Sequence, residues 1–257
     1  MRVFVVDSFT DEPFRGNPAG VVPLDAPASE GWMQSVAAEL KHAETAFVVL
    51  DGTEPKPLRW FTPSTEVDLC GHATLAAAHA LGGSHRFATR SGELVCTADG
   101  DGWIGMDFPA HRPSPVHPPA ELRAALPGVV AAASGGDDLL VRIGSAADLR
   151  ALEPPLALAA ALPYRGLIVT APADRDGVDF TSRMFAPRVG IAEDPVTGSA
   201  HCLLAPYWAG ELGRPEGSEL VGEQVSPRGG IVRATWRGDR VALRGRAVTV
   251  LEGELRV

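Results

Sequence analysis

The chain has 257 residues, 45% of them hydrophobic and 21% charged, a balance typical of a globular protein, and no run of about 18 apolar residues suggests a membrane-spanning helix. A formal net charge of −9, with the acids dispersed along the chain, argues against a nucleic-acid partner and for solubility. The cysteines Cys70, Cys96 and Cys202 lie far apart; they exclude a disulfide framework and, with no leader pattern before the first strand, lead us to expect a cytoplasmic protein.

The length suits two compact lobes of roughly 100 to 130 residues. RVFVVDSF reads as a strand, followed by a loop through Gly16-Asn17-Pro18 and a short strand at Val21-Val22. Ser29 caps a predicted helix whose apolar positions Met33, Val36, Ala37 and Leu40 repeat at three and four, with Lys41-His42 at its end. Glu44 then stands at a helix-to-strand junction, before the continuous apolar strand Ala46 to Leu50. After a strand at Leu58 to Phe61, a Pro-containing loop leads to an Ala-rich helix that starts near Gly71 to Thr74 and ends at Gly82-Gly83. Glu93 to Thr97 and Trp103 to Phe108 read as a hairpin.

Five prolines between Pro109 and Pro119 mark the expected lobe boundary, which gives an N-terminal lobe of residues 1–112 and a C-terminal lobe of 113–257. The second half continues with a strand at Leu139 to Ile143, helical stretches within 146–162 and strands at Leu167 to Thr170 and Val178 to Phe185. A small-residue helix follows Thr197, and three closing runs cover 219–225, 230–236 and 240–256. Gly71-His72 and Gly198-Ser199 lie 127 residues apart, each after a Pro-containing loop that carries carboxylates, a spacing that suggests an internal duplication.

Helices that begin with small residues expose backbone N–H groups and the positive end of a dipole, which suits a carboxylate-bearing ligand. Around these two starts stand Glu44, Asp68, His72, Glu193 and Asp194, a set that offers one acid/base and partners to tune it. A Glu in a mostly closed apolar site has its pKa raised towards neutrality. Cys70, before the first of these helices, is a candidate thiolate. The seven histidines do not pair with cysteines at ligand spacing except Cys70 with His72 and His201 with Cys202, so no metal site is expected. Trp60, Trp103 and Trp208 are expected in the core.

Four ordered blocks, VDSFTDEPFRGNPAGVV, AETAFVV, FTPSTEVDLCGHATLAAAHAL and RMFAPRVGIAEDPVTGSAHCLLAPYW, resemble the signatures of the PhzF (phenazine biosynthesis protein F-like) family. The resemblance implies an α+β fold of two similar lobes, each a mostly antiparallel sheet wrapped round a central helix as in diaminopimelate epimerase, with the site in the cleft between lobes. It also implies that the last strand can return to the first lobe. By the same resemblance Glu44 is the general acid/base, with His72 and Asp194 beside it in catalysis. Gly71, Gly198, Ser199, Cys70 and Asn17 would line the substrate, and members are homodimers that need no cofactor. The family's namesake moves a proton across an allylic system of a dihydro-hydroxyanthranilate. Here the block around Cys70-Gly71-His72 is closer to the broad uncharacterised branch, so the substrate expected is a small carboxylic or amino acid-like molecule of unspecified identity.

Three readings follow: an isomerase working through Glu44, a racemase or epimerase working through the Cys70 thiolate, and a non-catalytic small-molecule binding protein of the same fold.

Overall fold

The computed structural model describes residues 1–257. In chain order the first elements are β1 (Arg2–Ser8), β2 (Asn17–Leu24), α1 (Glu30–Leu40), β3 (Glu44–Val49), β4 (Lys56–Phe61), β5 (Glu66–Val67), α2 (Gly71–Leu81), β6 (His85–Thr89), β7 (Gly92–Ala98) and β8 (Ile104–Pro109). Next come β9 (Ser114–Pro115), α3 (Ala120–Ala125), β10 (Val129–Gly135), β11 (Asp138–Ile143), α4 (Ala146–Ala151), α5 (Leu156–Ala161), β12 (Gly166–Pro172), β13 (Phe180–Ala186) and β14 (Ile191–Asp194). The chain closes with α6 (Gly198–Glu211), β15 (Glu219–Gln224), β16 (Gly230–Arg237), β17 (Arg240–Gly245) and β18 (Ala247–Glu254). It divides into two compact units, one of Met1–Asp107 with Arg244–Val257 and one of Phe108–Leu243.

In the first unit β1 pairs antiparallel with β18 and with β2, and β2 runs parallel to β3 with α1 as the crossover. β4 is antiparallel to β3, carries the short β5 as a hairpin and runs parallel to β6 with α2 as the crossover; β7 and β8 continue antiparallel. Both faces of this sheet are covered. On one side, Met33, Val36 and Ala37 of α1 pack with Phe47 and Phe61, which is why every residue of β3 is buried and its sequence does not alternate. On the other lies α2, which touches β1, β2, β3, β7 and β18. Its run from His72 to Ala78 is buried throughout, as an all-round apolar helix must be. Ser29 caps α1 by accepting from the Trp32 N–H, and Lys41, with φ 58°, turns the chain out of the helix towards β3.

The second unit repeats this plan strand for strand. β10 is antiparallel to β11, β11 is parallel to β12 across α4 and α5, and β12 is antiparallel to β13. β13 carries β14 as a hairpin and runs parallel to β15 across α6, and β16 returns antiparallel. β9 sits on β10 as β18 sits on β1. Leu149 and Leu167 belong to the core under the crossover helices, while Leu140, Ile168, Phe180, Leu203 and Trp208 form the core around α6. Pro206 lies inside α6, where it cannot donate to the Cys202 carbonyl; the His111 N–H takes that acceptor at 2.9 Å, so the missing helical bond is replaced.

Five strands and a helix lie outside the sequence reading: β5, β6, β9, β10 and β14, and α3. After Val129-Val130, β10 continues with only small residues, AAASG, and α6 lies close against this part: Ala133 packs in its core, and a Cβ on Gly135 would meet Leu203 Cδ1 at 2.4 Å. The run at 240–256 is two strands, β17 and β18. Trp103 is half-buried rather than a core residue, with the guanidiniums of Arg244 and Arg246 over its ring.

The loop between β1 and β2 closes at Gly16, whose φ is 67° and where a Cβ would lie 2.1 Å from the Ser8 carbonyl oxygen. Gly16→Ala is therefore expected to lower the unfolding free energy by at least about 2 kcal/mol. Urea denaturation with an unchanged midpoint would contradict this.

Candidate active site

In the first unit the chemistry gathers where β3 begins and α2 begins. Glu44 is the first residue of β3, in register with Ala19 of β2. Cys70 is the extended residue before α2, and His72 is the second residue of that helix. The Ser8 hydroxyl donates to the His72 carbonyl at 2.8 Å and the Thr74 hydroxyl donates to the Cys70 carbonyl at 2.5 Å, which fixes the start of α2 against β1.

The three side chains form a compact cluster, with one ligand atom of each within 4.8 Å of the other two. His72 Nε2 lies 3.3 Å from Glu44 Oε2, and His72 Nδ1 lies 3.5 Å from Cys70 Sγ. Glu44 keeps 12% of its side-chain surface open and His72 keeps 9%. Burial, helped by the nearby charge of His42, pushes the His72 imidazole down to about 3, so the ring is neutral at physiological pH and carries one N–H. With that proton on Nδ1 the ring donates to the Cys70 sulfur; with it on Nε2, Nδ1 accepts from the thiol.

Asn17 opens β2 opposite Ser8 and is fully buried. Asp68 stands apart from this group: its side chain is 75% exposed, 3.8 Å from Arg90. Gly71 is the first helical residue of α2.

In the second unit the corresponding helix start is braced by a denser hydrogen-bond network. Asp194 ends β14, and its Oδ2 accepts from the Thr197 hydroxyl at 2.5 Å. Gln224, buried on β15, accepts from the Thr197 N–H at 2.9 Å and donates to the Asp194 carbonyl at 2.6 Å. Thr197 therefore does not cap α6 with its own hydroxyl; Gln224 satisfies the Thr197 N–H from a neighbouring strand. The buried His201 bonds the Thr197 carbonyl through Nδ1 at 2.8 Å. Gly198 and Ser199 are the first two residues of α6, and Ser199 Oγ accepts from Arg165 Nη2 at 3.1 Å while Arg165 also holds Asp138. Glu193 is held by Arg183 through both carboxylate oxygens, so it is a structural ion pair.

Asp138, Arg165 and Gln224 have no motif to mark them, and only their position at strand ends beside the second helix start shows their part; Ser8 lies inside the VDSFTDEPFRGNPAGVV block. Cys202, as expected of a packing residue, is buried within α6.

The model of the family described as Phenazine biosynthesis-like protein, PhzC-PhzF, matches residues 6–253. The chain belongs to the PhzC-PhzF family. An uncharacterized isomerase of Pseudomonas aeruginosa is 47% identical over 99% of this chain and 98% of its own length. The crystal structure of a PhzF family protein from Enterococcus faecalis matches with a TM-score of 0.93 at 38% identity, covering 100% of this chain and 99% of that one. A probable proline racemase from Agrobacterium radiobacter K84, at 10% identity and a TM-score of 0.64 over 100% of this chain and 93% of that one, shares the fold alone. The protein is thus an isomerase-like member of the PhzF family with the epimerase-type α+β architecture. None of its helices is long and apolar enough to cross a membrane.

The buried imidazoles give this PhzF protein a definite acid response. His72 is held down to about 3 and His201, by burial, to about 4, against an ordinary 6.5. The folded chain keeps both neutral while the unfolded chain protonates them, so their stabilisation is full above pH 6.5 and is lost as pH falls towards 4. Each contributes up to one proton, or about 1.4 kcal/mol per pH unit. Denaturation titrations at several pH values are expected to show a shallower acid slope for His201→Asn than for the wild type, and equal slopes would contradict the assignment.

Proposed function

We propose that the protein is a cofactor-independent isomerase that moves a proton on a small carboxylate-bearing substrate, with Glu44 as the acid/base. The observation that carries this reading is Glu44 Oε2 3.3 Å from the neutral His72 ring, in a buried setting with a small opening to solvent. A neutral imidazole orients the carboxylate without neutralising it, as an imidazolium would, and leaves Glu44 able to take a proton from carbon and return it elsewhere. The start of α2 adds a positive dipole end where negative charge develops on the substrate. His72 and Asp194 serve in catalysis, and Gly71, Gly198, Ser199, Cys70 and Asn17 contact the substrate.

A second reading, a racemase working through the Cys70 thiolate, has one observation in its favour: Cys70 immediately precedes the first turn of α2, where the helix dipole favours a thiolate.

Proton NMR in heavy water, following carbon-bound protons across a panel of small amino and unsaturated carboxylic acids, separates these readings. Glu44→Gln is expected to lower exchange or isomerisation by at least about 100-fold, with Cys70→Ser remaining within about tenfold of wild type. Full activity of Glu44→Gln would refute the leading role of Glu44. Loss confined to Cys70→Ser would favour the racemase, and binding without any exchange would favour a non-catalytic binding protein.

A further inference from the structure

We propose that Cys70, His72 and Glu44 together bind one soft divalent cation of the zinc class, and that the bound ion inhibits by occupying the acid/base carboxylate. Binding is independent of the reaction; only the inhibition rests on the reading of Glu44 given above.

The three residues are all buried, and one ligand atom from each lies within 4.8 Å of the other two. Thiolate sulfur, imidazole nitrogen and carboxylate oxygen form the mixed donor set that zinc, cadmium and cobalt accept and that magnesium and calcium do not favour. Three protein ligands leave a fourth tetrahedral position for water or a ligand oxygen, the arrangement of an open rather than a structural site. The spacing suits such an ion. The 3.5 Å separation between Cys70 Sγ and His72 Nδ1 matches the ligand-to-ligand edge of a tetrahedron with bonds of about 2.0–2.3 Å.

Because the thiol and the carboxylate face different ring nitrogens, the ion takes one nitrogen, and a side-chain rotation of Glu44 or Cys70 brings in the third ligand. The bonds of Ser8 to the His72 carbonyl and of Thr74 to the Cys70 carbonyl hold the two helix-borne ligands in place. The open fraction of the Glu44 side chain gives the ion its way in. On coordination a metal–sulfur bond forms and the thiol proton leaves to solvent, with no change of oxidation state. A lone thiol does not make this site; the convergence of three donor types from β3 and the start of α2 does.

The test is to titrate cobalt(II) chloride into the full chain and follow thiolate-to-cobalt charge-transfer absorption. The expected result is one cobalt per chain, displaced by zinc, with the band lost in Cys70→Ala and His72→Ala. In the Cys96→Ala/Cys202→Ala double variant Cys70 is the sole remaining thiol. A full band there supports the site whether or not Cys70→Ala folds. No thiolate band in the wild type, or a band that persists in folded Cys70→Ala or vanishes in the double variant, overturns the proposal. Loss of proton exchange in Glu44→Gln alongside an absent cobalt band would remove the metal site and leave the isomerase reading standing.

Discussion

A carboxylate held nearly out of water beside the start of a buried helix is the constraint around which the first unit is organised. Removing Glu44 from solvent costs several kcal/mol unless neighbouring groups compensate. The neutral His72 ring lies 3.3 Å away, and the dipole of α2 favours negative charge beside its start. That ring keeps its place only because α2 is fixed at its first turn by Ser8 and Thr74 and is enclosed by strands along its length. The Ala-rich composition of α2 permits that enclosure: larger side chains would hold the sheet away from the helix axis.

The same strand plan in the second unit ends in different chemistry. Where the first unit places a glutamate at the start of β3 and a histidine on α2, the second places Arg165 just before β12 and Ser199 on α6, joined at 3.1 Å. Asp194, Thr197 and Gln224 form a closed set of hydrogen bonds beside them. One architecture, repeated, therefore carries a buried Glu–His–Cys cluster in one copy and a closed hydrogen-bond network in the other.

Much of this was legible in the residues. The capped α1, the Ala-rich α2 and the apolar run after Glu44 follow from periodicity and punctuation alone, because their burial is set by local pattern. The equal spacing of Gly71 and Gly198 pointed to the repeat that the strand pairing displays. β10 was hidden because its small residues answer to a helix packed on it, a tertiary demand that leaves no local signal, and β6, HRFAT, is too polar and short to stand out. At the site, Glu44, Cys70 and His72 were recognisable as residue types beside a helix start. Their clustering depends on the packing of α2 against β3, which brings residue 44 beside residue 72. Asp68 and Glu193 were equally plausible by type, and only side-chain exposure and the Arg183 pair separate them from the group.

The central claim is that Glu44 faces a neutral imidazole, and nitrogen-15 NMR of the histidine side chains tests it most directly. The His72 signals are assigned by their loss in His72→Gln. At about pH 5.5, where an ordinary histidine is mostly protonated, the account predicts a neutral His72 with one pyrrole-type and one pyridine-type nitrogen. An imidazolium at that pH would contradict it.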